Sequence, residues 1–315
     1  MVGQDPVVSR ETATHQGVAK SLDDTPIAKA AERATRVLTP GAAGTLPRPP
    51  HRRIITVANQ KGGVGKTTTT VNLAAGLALH GLRVLVVDLD PQGNASTALG
   101  IDHRAADIES VYELLLGEAT LSEAAQKCPS QENLYCIPAT LDLAGAEIEL
   151  VSLVARENRL RNALDSAQLD ALGIDYVLID CPPSLGLLTV NAMVAADDVL
   201  IPIQCEYYAL EGVGQLLRNI ELVQAHLNPR LHVSTILLTM YDGRTKLADQ
   251  VAEEVRRHFG AKVLNTIIPR SVKVSEAPGY GMTIIEYDPG SRGAMSYLDA
   301  AREFAERAVA GTGTR

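Results

Sequence analysis

Short apolar runs alternate along the chain with longer stretches in which apolar positions recur at helical spacing. We expect the runs, most of them rich in β-branched residues, to form strands over Ile54–Ala58, Arg83–Val87, Leu134–Pro138, Tyr176–Ile179, Val199–Ile203, Val233–Met240 and Val263–Ile268. The amphipathic stretches predict helices over Thr67–His80, Val151–Ala167, Glu211–His226 and Thr245–Phe259. Continuous β-branched runs separated by helices are typical of buried parallel strands. The pattern therefore predicts an α/β fold with a doubly wound, mostly parallel sheet.

Residues 1–50 have a different composition from the rest of the chain. They carry Ala, Thr, Pro and Gly with few bulky apolar residues, and they end in the run Leu46-Pro47-Arg48-Pro49-Pro50. Because such a segment buries little apolar surface, we expect residues 1–50 to form a disordered N-terminal tail and residues 51–315 to form one catalytic domain. Through Arg53 the tail holds eight Lys/Arg against five Asp/Glu, a net charge of +3. It is either a solvated segment or an arm for DNA or a protein partner.

Composition excludes several classes of protein. Of the 315 residues only 3% are aromatic, which excludes a single-strand binder built on base stacking. The formal net charge of −8 excludes a wholly basic nucleic-acid coat protein, although a local basic face remains compatible with it. No apolar run approaches the roughly 18 residues of a membrane span, so we expect a soluble cytoplasmic protein. The absence of a C-x-x-C pair argues against a zinc ribbon or disulfide scaffold and favours reduced thiols at Cys128, Cys136, Cys181 and Cys205.

The strongest chemical signal is a glycine-rich run that follows the first predicted strand and opens a helix. This is the context that a phosphate-binding loop requires, because glycines let backbone N–H groups wrap around phosphate oxygens and the helix adds its positive N-terminal dipole. Lys66 is placed to neutralise the β- and γ-phosphates of ATP, and the Thr67 hydroxyl to ligate Mg²⁺. The predicted nucleotide-binding run is Lys61, Gly62, Gly63, Val64, Gly65, Lys66, Thr67 and Thr68.

Two acidic motifs follow apolar strands. Val84–Val87 runs into Asp88-Leu89-Asp90-Pro91, and Tyr176–Ile179 runs into Asp180. Carboxylates at the carboxyl ends of parallel strands lie at the ligand crevice. Asp180 is predicted to hold Mg²⁺ through its water shell, as in a Walker B strand. For the Asp88 and Asp90 pair the alternative is that both only cap the following turn.

The loop departs from the general phosphate-loop pattern. Gln60 stands at the position of the first glycine, and Lys61 is an additional lysine. The run resembles the deviant Walker A loop of the ParA/MinD superfamily. That resemblance implies that Lys61 reaches phosphates bound by a second subunit, in a homodimer with ATP at its interface. It also places Asp90 in switch I, where it orients the attacking water, and Asp88 nearer the metal. Lys61, Lys66 and Asp90 are therefore the predicted catalytic residues.

Over residues 54–310 the chain resembles the Soj/ParA chromosome-partitioning ATPases. The segments that carry this resemblance are Ile137–Thr140, Leu143–Glu147, Asp180–Leu188, Gln204–Gly212, Ile268–Arg270, Ser275–Pro278 and Tyr287–Pro289. The resemblance implies an ATPase that dimerises with ATP, binds double-stranded DNA without sequence preference, and is stimulated by a ParB-type centromere-binding partner. It implies a nucleoid-associated protein, and it places Pro269 and Arg270 beside the nucleotide.

Residues 240–275 carry seven Lys/Arg against four Asp/Glu, a local net charge of +3. Attraction to DNA phosphates is independent of sequence, and dimerisation doubles such a patch. Arg244, Arg270 and Lys273 match positions near the DNA-contacting surface of the resembling family. The alternative for these residues is a solvated surface, and Arg270 could instead lie near the base.

Three other functions remain open from the sequence. A MinD-type division-site ATPase would need a C-terminal membrane helix, whereas the end of this chain has few bulky apolar residues, so we expect no membrane partner. An iron–sulfur carrier would need cysteines that bridge two subunits. The third is a nucleotide-gated scaffold with negligible hydrolysis, against which the complete Mg²⁺ site and Asp90 argue. The composition of the tail leaves a polar scaffold protein open as a partner, and plasmid cargo remains open beside the chromosome.

Overall fold

The computed structural model of the chain describes residues 44–105, 107–207 and 209–310, and most of the predicted N-terminal tail lies outside them. Within these ranges eight strands form one sheet. They are β1 Arg53–Val57, β2 Val84–Asp88, β3 Gln126–Lys127, β4 Leu134–Ile137, β5 Tyr176–Asp180, β6 Asp198–Gln204, β7 His232–Tyr241 and β8 Val263–Pro269.

The helices vary in length from four residues to nineteen. The α-helices are α1 Lys66–Leu79, α2 Asn94–Ala98, α3 Val111–Leu116, α4 Leu121–Ala124, α5 Leu143–Val151, α6 Arg159–Ala163, α7 Ser166–Ala171, α8 Leu187–Ala195, α9 Glu211–His226, α10 Lys246–Phe259, α11 Val272–Glu276, α12 Ile284–Tyr287 and α13 Arg292–Ala310. Short 3-10 helices occupy Arg156–Asn158, Gly260–Lys262 and Ala277–Tyr280.

The sheet confirms the predicted doubly wound α/β fold. Its strand order is β3-β4-β2-β5-β1-β6-β7-β8, and every described pairing is parallel except that of the two-residue edge strand β3 with β4. All residues of β2, β5 and β6 are buried, as expected for strands covered on both faces. β1 lies between β5 and β6, so successive strands are laid down on either side of it. Ligands bind at such a switch point, outside the carboxyl ends of the strands.

Helices cover the two faces of the sheet and enclose two apolar cores. On one face α1 packs against α13, where Gly76 allows a close approach because a Cβ there would lie 2.8 Å from the Cβ of Ala301. Tyr297 and Phe304 of α13 are buried in the same core. The opposite core gathers α8 and α9 through residues such as Leu188 and Leu216. This second layer completes a fixed frame around the carboxyl end of β1.

All seven predicted strands are present, and no predicted end differs from the observed one by more than one residue. The predicted helix over Val151–Ala167 is wrong, because this stretch is divided between the end of α5, a 3-10 turn, α6 and the start of α7. Asn191 of α8 stabilises the break. Its amide donates to the carbonyl of Arg156 (2.9 Å), and its side-chain oxygen accepts from the backbone N–H of Leu160 (3.1 Å). These long-range bonds satisfy backbone groups that a continuous helix would have paired internally.

Residues 44–52 lie against the end of α1, far from the carboxyl ends of the strands. Leu46 is buried, and its N–H donates to the carbonyl of His80 (3.2 Å). Arg52 forms an ion pair with Asp170 (2.7 Å). The described chain therefore begins at the edge of the domain opposite the glycine-rich loop.

Candidate nucleotide site

The glycine-rich loop joins the carboxyl end of β1 to the start of α1. Gly63 (φ 72°) and Gly65 (φ 89°) have left-handed backbones that favour glycine. A Cβ at Gly62 or Gly63 would meet nothing within 4 Å, so the outer side of the loop is open to a ligand. Val64 is buried beneath the loop, and its carbonyl accepts from the Thr239 hydroxyl (2.8 Å). The loop is thus held from below and open above, as a cradle for phosphates requires.

Lys66 is the first residue of α1 and is only 7% exposed. Its Nζ lies 3.4 Å from the carbonyl oxygen of Lys61, so the side chain folds back under the loop. Burial lowers the pKa of Lys66, and the nearby Asp180 carboxylate partly opposes that effect. A buried ammonium beneath an open ring of backbone N–H groups is suited to bind polyphosphate.

The additional lysine of the loop points in another direction. Lys61 Nζ lies 3.7 Å from Glu206 Oε2, and its side chain is 38% exposed. Glu206 Oε1 also accepts from Arg270 (3.1 Å) and from the Gln204 amide (2.6 Å). Glu206, just beyond β6, thus holds two of the predicted site cations at the rim of the loop. Lys61 and Lys66 are separated in this arrangement, one at the surface and one beneath the loop.

Two buried carboxylates lie beside the loop, at the ends of neighbouring strands. Asp88 and Asp180 are in register across β2 and β5, and both are fully buried. Burial raises the pKa of each, and mutual repulsion raises that of Asp180 further. Thr70 donates to Asp180 Oδ1 (3.1 Å), and the nearby Thr67 side chain partly offsets the raised pKa of this carboxyl.

This pair fits a divalent cation. Asp180 Oδ2 is buried and has no hydrogen-bond partner among the described residues. Repelling carboxylates and an unpaired oxygen are both stabilised by a hard cation with oxygen ligands, such as Mg²⁺. The predicted metal residues Thr67, Asp88 and Asp180 are therefore brought together. Cys181, beside Asp180, is buried with a raised thiol pKa, consistent with a packing role.

Asp90 lies on the loop between β2 and α2, and is partly buried. Its N–H donates to Asp88 Oδ1 (3.1 Å), and its own Oδ1 accepts from the N–H of Gln92 (3.0 Å). The carboxylate contributes to the negative potential that acts on Lys66. The structure therefore places Asp90 at the open side of the site, next to the buried pair.

A cavity of about 280 Å³ adjoins the loop at the ends of β7 and β8. Its lining includes Gly65 and Thr68 from the loop region, Met240 from β7, and the predicted residues Pro269 and Arg270. Met240 has a left-handed backbone (φ 51°), which is unusual for a residue with a long side chain and frequent at functional sites. The cavity extends the phosphate cradle in the direction expected for a nucleoside.

The predicted DNA-contacting residues are exposed, and each has an acidic partner. Arg244 forms a bidentate pair with Asp242 (2.8 and 2.7 Å), and Lys273 lies 3.5 Å from Glu276. Arg244 and Arg270 follow the carboxyl ends of the paired strands β7 and β8, and the N–H of Arg270 donates to the carbonyl of Tyr241. The three cations thus share the edge of the sheet that carries the loop.

Arg256 and Arg257, in the last turns of α10, lie away from the edge of the sheet that carries the loop. Arg256 donates to the carbonyl oxygens of Leu264 and Asn265 (3.5 and 3.3 Å), near the amino end of β8. Arg257 lies 3.9 Å from Glu254 on α10. Because Arg256 lies ten residues after Lys246 at the start of α10, and each helical residue rises about 1.5 Å, the two groups of cations are separated by roughly 15 Å along the helix. The single basic region of the sequence is two regions in the fold.

Several site residues were missed from the sequence. No local pattern predicts a role for Glu206, which lies within the Gln204–Gly212 segment. Asn59, whose Oδ1 accepts from the N–H of Lys61 (3.0 Å), and Ser96, which donates to Asp88, were not singled out. Both are small polar residues that are buried next to the motifs, and that burial is visible only in the fold.

No helix in the described ranges is long and apolar enough to cross a membrane.

Comparison with known proteins agrees with this geometry. A family model described as an AAA domain matches residues 52–233. The chain is 57% identical over 254 residues to the sporulation initiation inhibitor protein Soj of Bacillus subtilis, covering 80% of this chain and 98% of that protein. It is 52% identical over 255 residues to the chromosome partitioning protein ParA of Caulobacter vibrioides, covering 81% and 94%.

Solved structures share the fold. One is titled cobyrinic acid a,c-diamide synthase of Mycobacterium smegmatis with bound ADP and magnesium (43% identity, TM-score 0.68, 79% of this chain and 92% of that one). Another is the septum site-determining protein MinD of Pyrococcus horikoshii with Mg-ADP (28% identity, TM-score 0.64, 82% and 97%). Because the sequence relatives with the higher identities carry the Soj and ParA names, and the loop, acidic pair and rim cations all lie at one edge of the sheet, the chain belongs to the ParA/Soj family of chromosome-partitioning ATPases.

Proposed function

We propose that this ATPase is a dimerising switch that binds double-stranded DNA without sequence preference in its ATP state and helps to partition the chromosome. A ParB-type partner would stimulate hydrolysis and release the DNA. Among the known proteins, the ADP- and magnesium-bound relative supports Mg-ATP as the ligand here. The observation that carries the proposal is the position of Lys61. It lies at the exposed rim, paired with Glu206, whereas Lys66 already serves the same loop from beneath.

The division of labour follows from charge. Lys66 and the N–H groups of the loop would neutralise the β- and γ-phosphates, and Thr67, Asp88 and Asp180 would hold Mg²⁺. When bound, Mg²⁺ supplies positive charge to the phosphates during transfer. Asp90, on the open side, would orient the water. A second set of phosphates across a dimer interface would then attract Lys61 away from Glu206, which ties assembly to ATP.

DNA binding rests on Arg244, Arg270 and Lys273, which share the edge of the sheet that carries the nucleotide loop. Two copies of this edge would present a doubled cationic surface only when dimeric. Attraction of this kind is sequence-independent and strongly weakened by salt. Because each of these cations has an acidic partner, a single subunit would have a low affinity for DNA.

The membrane-bound alternative receives no support from the C-terminal helix. Tyr297, Leu298 and Phe304 of α13 are buried against the sheet, and its described apolar residue with notable exposure is Val309 (39%). A membrane helix needs an apolar face that is free to enter the headgroup region. In this chain that face is part of the core.

The proposal is tested by measuring dimerisation of Lys61→Ala by light scattering with ADP and with ATP. We expect the wild type to dimerise with ATP, and the variant to remain monomeric in both nucleotides while still binding ATP. Lys127→Ala is the matched control, because Lys127 lies on the edge strand β3, is exposed, and forms an ion pair with Glu132. Unchanged ATP-dependent dimerisation of Lys61→Ala would contradict a role of this lysine across the interface.

A further inference from the structure

The loop that carries Asp90 is fixed at both of its ends. At its start the N–H of Asp90 donates to Asp88, as described above. At its end Gly93 adopts a left-handed backbone (φ 62°), and its N–H donates to the carbonyl of Asp90 (2.9 Å). Asp88 explains the first attachment. At the second end a side chain from outside the loop also lies against Gly93.

That side chain is His103. Its Nδ1 lies 3.1 Å from the carbonyl oxygen of Ala139, just beyond β4, and its Nε2 lies 3.1 Å from Thr97 Oγ1 on α2. The imidazole also lies directly against the loop, because a Cβ at Gly93 would come within 2.5 Å of its Cε1. Gly93 is therefore required twice, by its backbone conformation and by the ring beside it.

The direction of the hydrogen bond to Ala139 can be assigned. The Ala139 carbonyl only accepts, so Nδ1 of His103 carries a proton and donates to it. The Thr97 hydroxyl lies 2.9 Å from the Gly93 carbonyl, which also only accepts, and the same hydroxyl faces Nε2. Thr97 thus stands between the loop and the imidazole, and contacts both.

Ala139 connects this contact to the metal pair. Its N–H donates to Ser96 Oγ (3.1 Å), and Ser96 Oγ donates to Asp88 Oδ2 (2.7 Å). Ala139 therefore contacts Ser96 through its N–H and His103 through its carbonyl. Both ends of the Asp90 loop are therefore connected through hydrogen bonds to Ala139.

We propose that His103 is a positioning residue for ATP hydrolysis, which clamps the Asp90–Gly93 loop by tying Thr97, the partner of the Gly93 carbonyl, to the carbonyl of Ala139. The proposal rests on the proposed role of Asp90. No described hydrogen bond joins His103 to the glycine-rich loop or to the residues that line the nucleoside cavity. Its loss should therefore slow the chemical step and leave ATP binding unchanged.

The test is steady-state phosphate release from Mg-ATP, with kcat and KM measured for His103→Ala, His103→Asn and Thr97→Val. Because small misplacements of catalytic groups can cost up to about 100-fold, we expect His103→Ala to lower kcat by about 10-fold or more with KM for ATP within about 2-fold. His103→Asn keeps a donor for the Ala139 carbonyl and should lose less. The double variant His103→Ala/Thr97→Val should be no slower than the slower single variant, since both act through one contact.

His226→Ala is the matched control, since His226 is exposed at the end of α9 and should leave kcat unchanged. Unchanged kcat in His103→Ala, equal losses in His103→Ala and His103→Asn, or multiplying effects in the double variant would each overturn the clamp. Thr97→Val probes the same contact even if His103→Ala unfolds. Asp90→Ala in the same assay separates the two proposals. If Asp90→Ala abolishes turnover and His103→Ala does not slow it, the clamp fails and the role of Asp90 stands.

Discussion

Replacing Asp180 by Asn should stabilise the nucleotide-free protein and abolish its response to Mg-ATP. Asp180 is fully buried, its Oδ2 has no hydrogen-bond partner among the described residues, and it faces Asp88 across the sheet. Asn keeps an acceptor for the Thr70 hydroxyl and removes the charge. The substitution thus relieves the repulsion and takes away a metal ligand at the same time.

The magnitude follows from the raised pKa of Asp180. Burial can raise a carboxyl pKa by up to about 3–5 units, and each unit corresponds to about 1.4 kcal/mol. At pH 7.5 the upper limit of the gain is therefore about 5 kcal/mol, and the desolvation of an Asn amide reduces it by about 1–3 kcal/mol. We expect the free energy of unfolding to rise by about 2 kcal/mol in the absence of Mg²⁺ and nucleotide.

The assay is urea denaturation at pH 7.5, first with a chelator and then with Mg-ATP. At ligand concentrations near 100 times Kd the wild type should gain about 2.7 kcal/mol from Mg-ATP, and Asp180→Asn should gain much less. Asp170→Asn is the control, because Asp170 is 73% exposed and should change stability by less than about 0.5 kcal/mol. A nucleotide-free Asp180→Asn protein that is less stable than the wild type would refute the reasoning, as would an undiminished response to Mg-ATP.

Two further predictions concern charge. The pKa values of Asp88 and Asp180 are raised in the folded protein, which therefore holds protons that the unfolded chain releases above about pH 4. This contribution to stability is fully present below that pH, and it is lost as the pH rises through the pKa values of the folded protein. Urea midpoints with a chelator at pH 5, 6, 7 and 8 should show that decline, and a flatter profile is expected for Asp180→Asn; identical slopes would count against it. Glu206→Gln should tighten ATP-state DNA binding by a few-fold and steepen its salt dependence, because both rim cations lose their acidic partner. Fluorescence anisotropy with random-sequence duplex DNA at two salt concentrations measures both, and weaker binding would contradict the role given to Glu206.

Local patterns predicted the parts of the structure that local physics determines. The buried strands and α9 were readable because continuous β-branched runs and a helical apolar period leave few alternatives. The glycine-rich loop was readable because its backbone conformation needs glycine at Gly63 and Gly65. The acidic pair followed from strand topology, since the carboxyl ends of parallel strands meet at one edge.

Features that depend on distant contacts were not predicted. The break after α5 depends on Asn191, which lies 31 positions from Leu160 in the chain. The pairing of Glu206 with Arg270 spans 64 positions, and no periodicity reports it. The basic stretch was counted as one surface, yet α10 carries Arg256 to the far end of the sheet. In the first two cases contacts between residues that are far apart in the chain decide the outcome, and in the third the length of α10 does.

The central claim is that ATP controls DNA binding through a dimer, and binding to random-sequence duplex DNA tests it most directly. The affinity of the wild-type chain should be measured with ADP, with ATP and with neither, at two salt concentrations. We expect the wild-type chain to bind DNA only with ATP and to bind it much more weakly at the higher salt concentration. We expect Arg244→Ala and Arg270→Ala to lose DNA binding while they still dimerise with ATP. Absence of DNA binding in every nucleotide state, alongside normal ATP-dependent dimerisation, would contradict it.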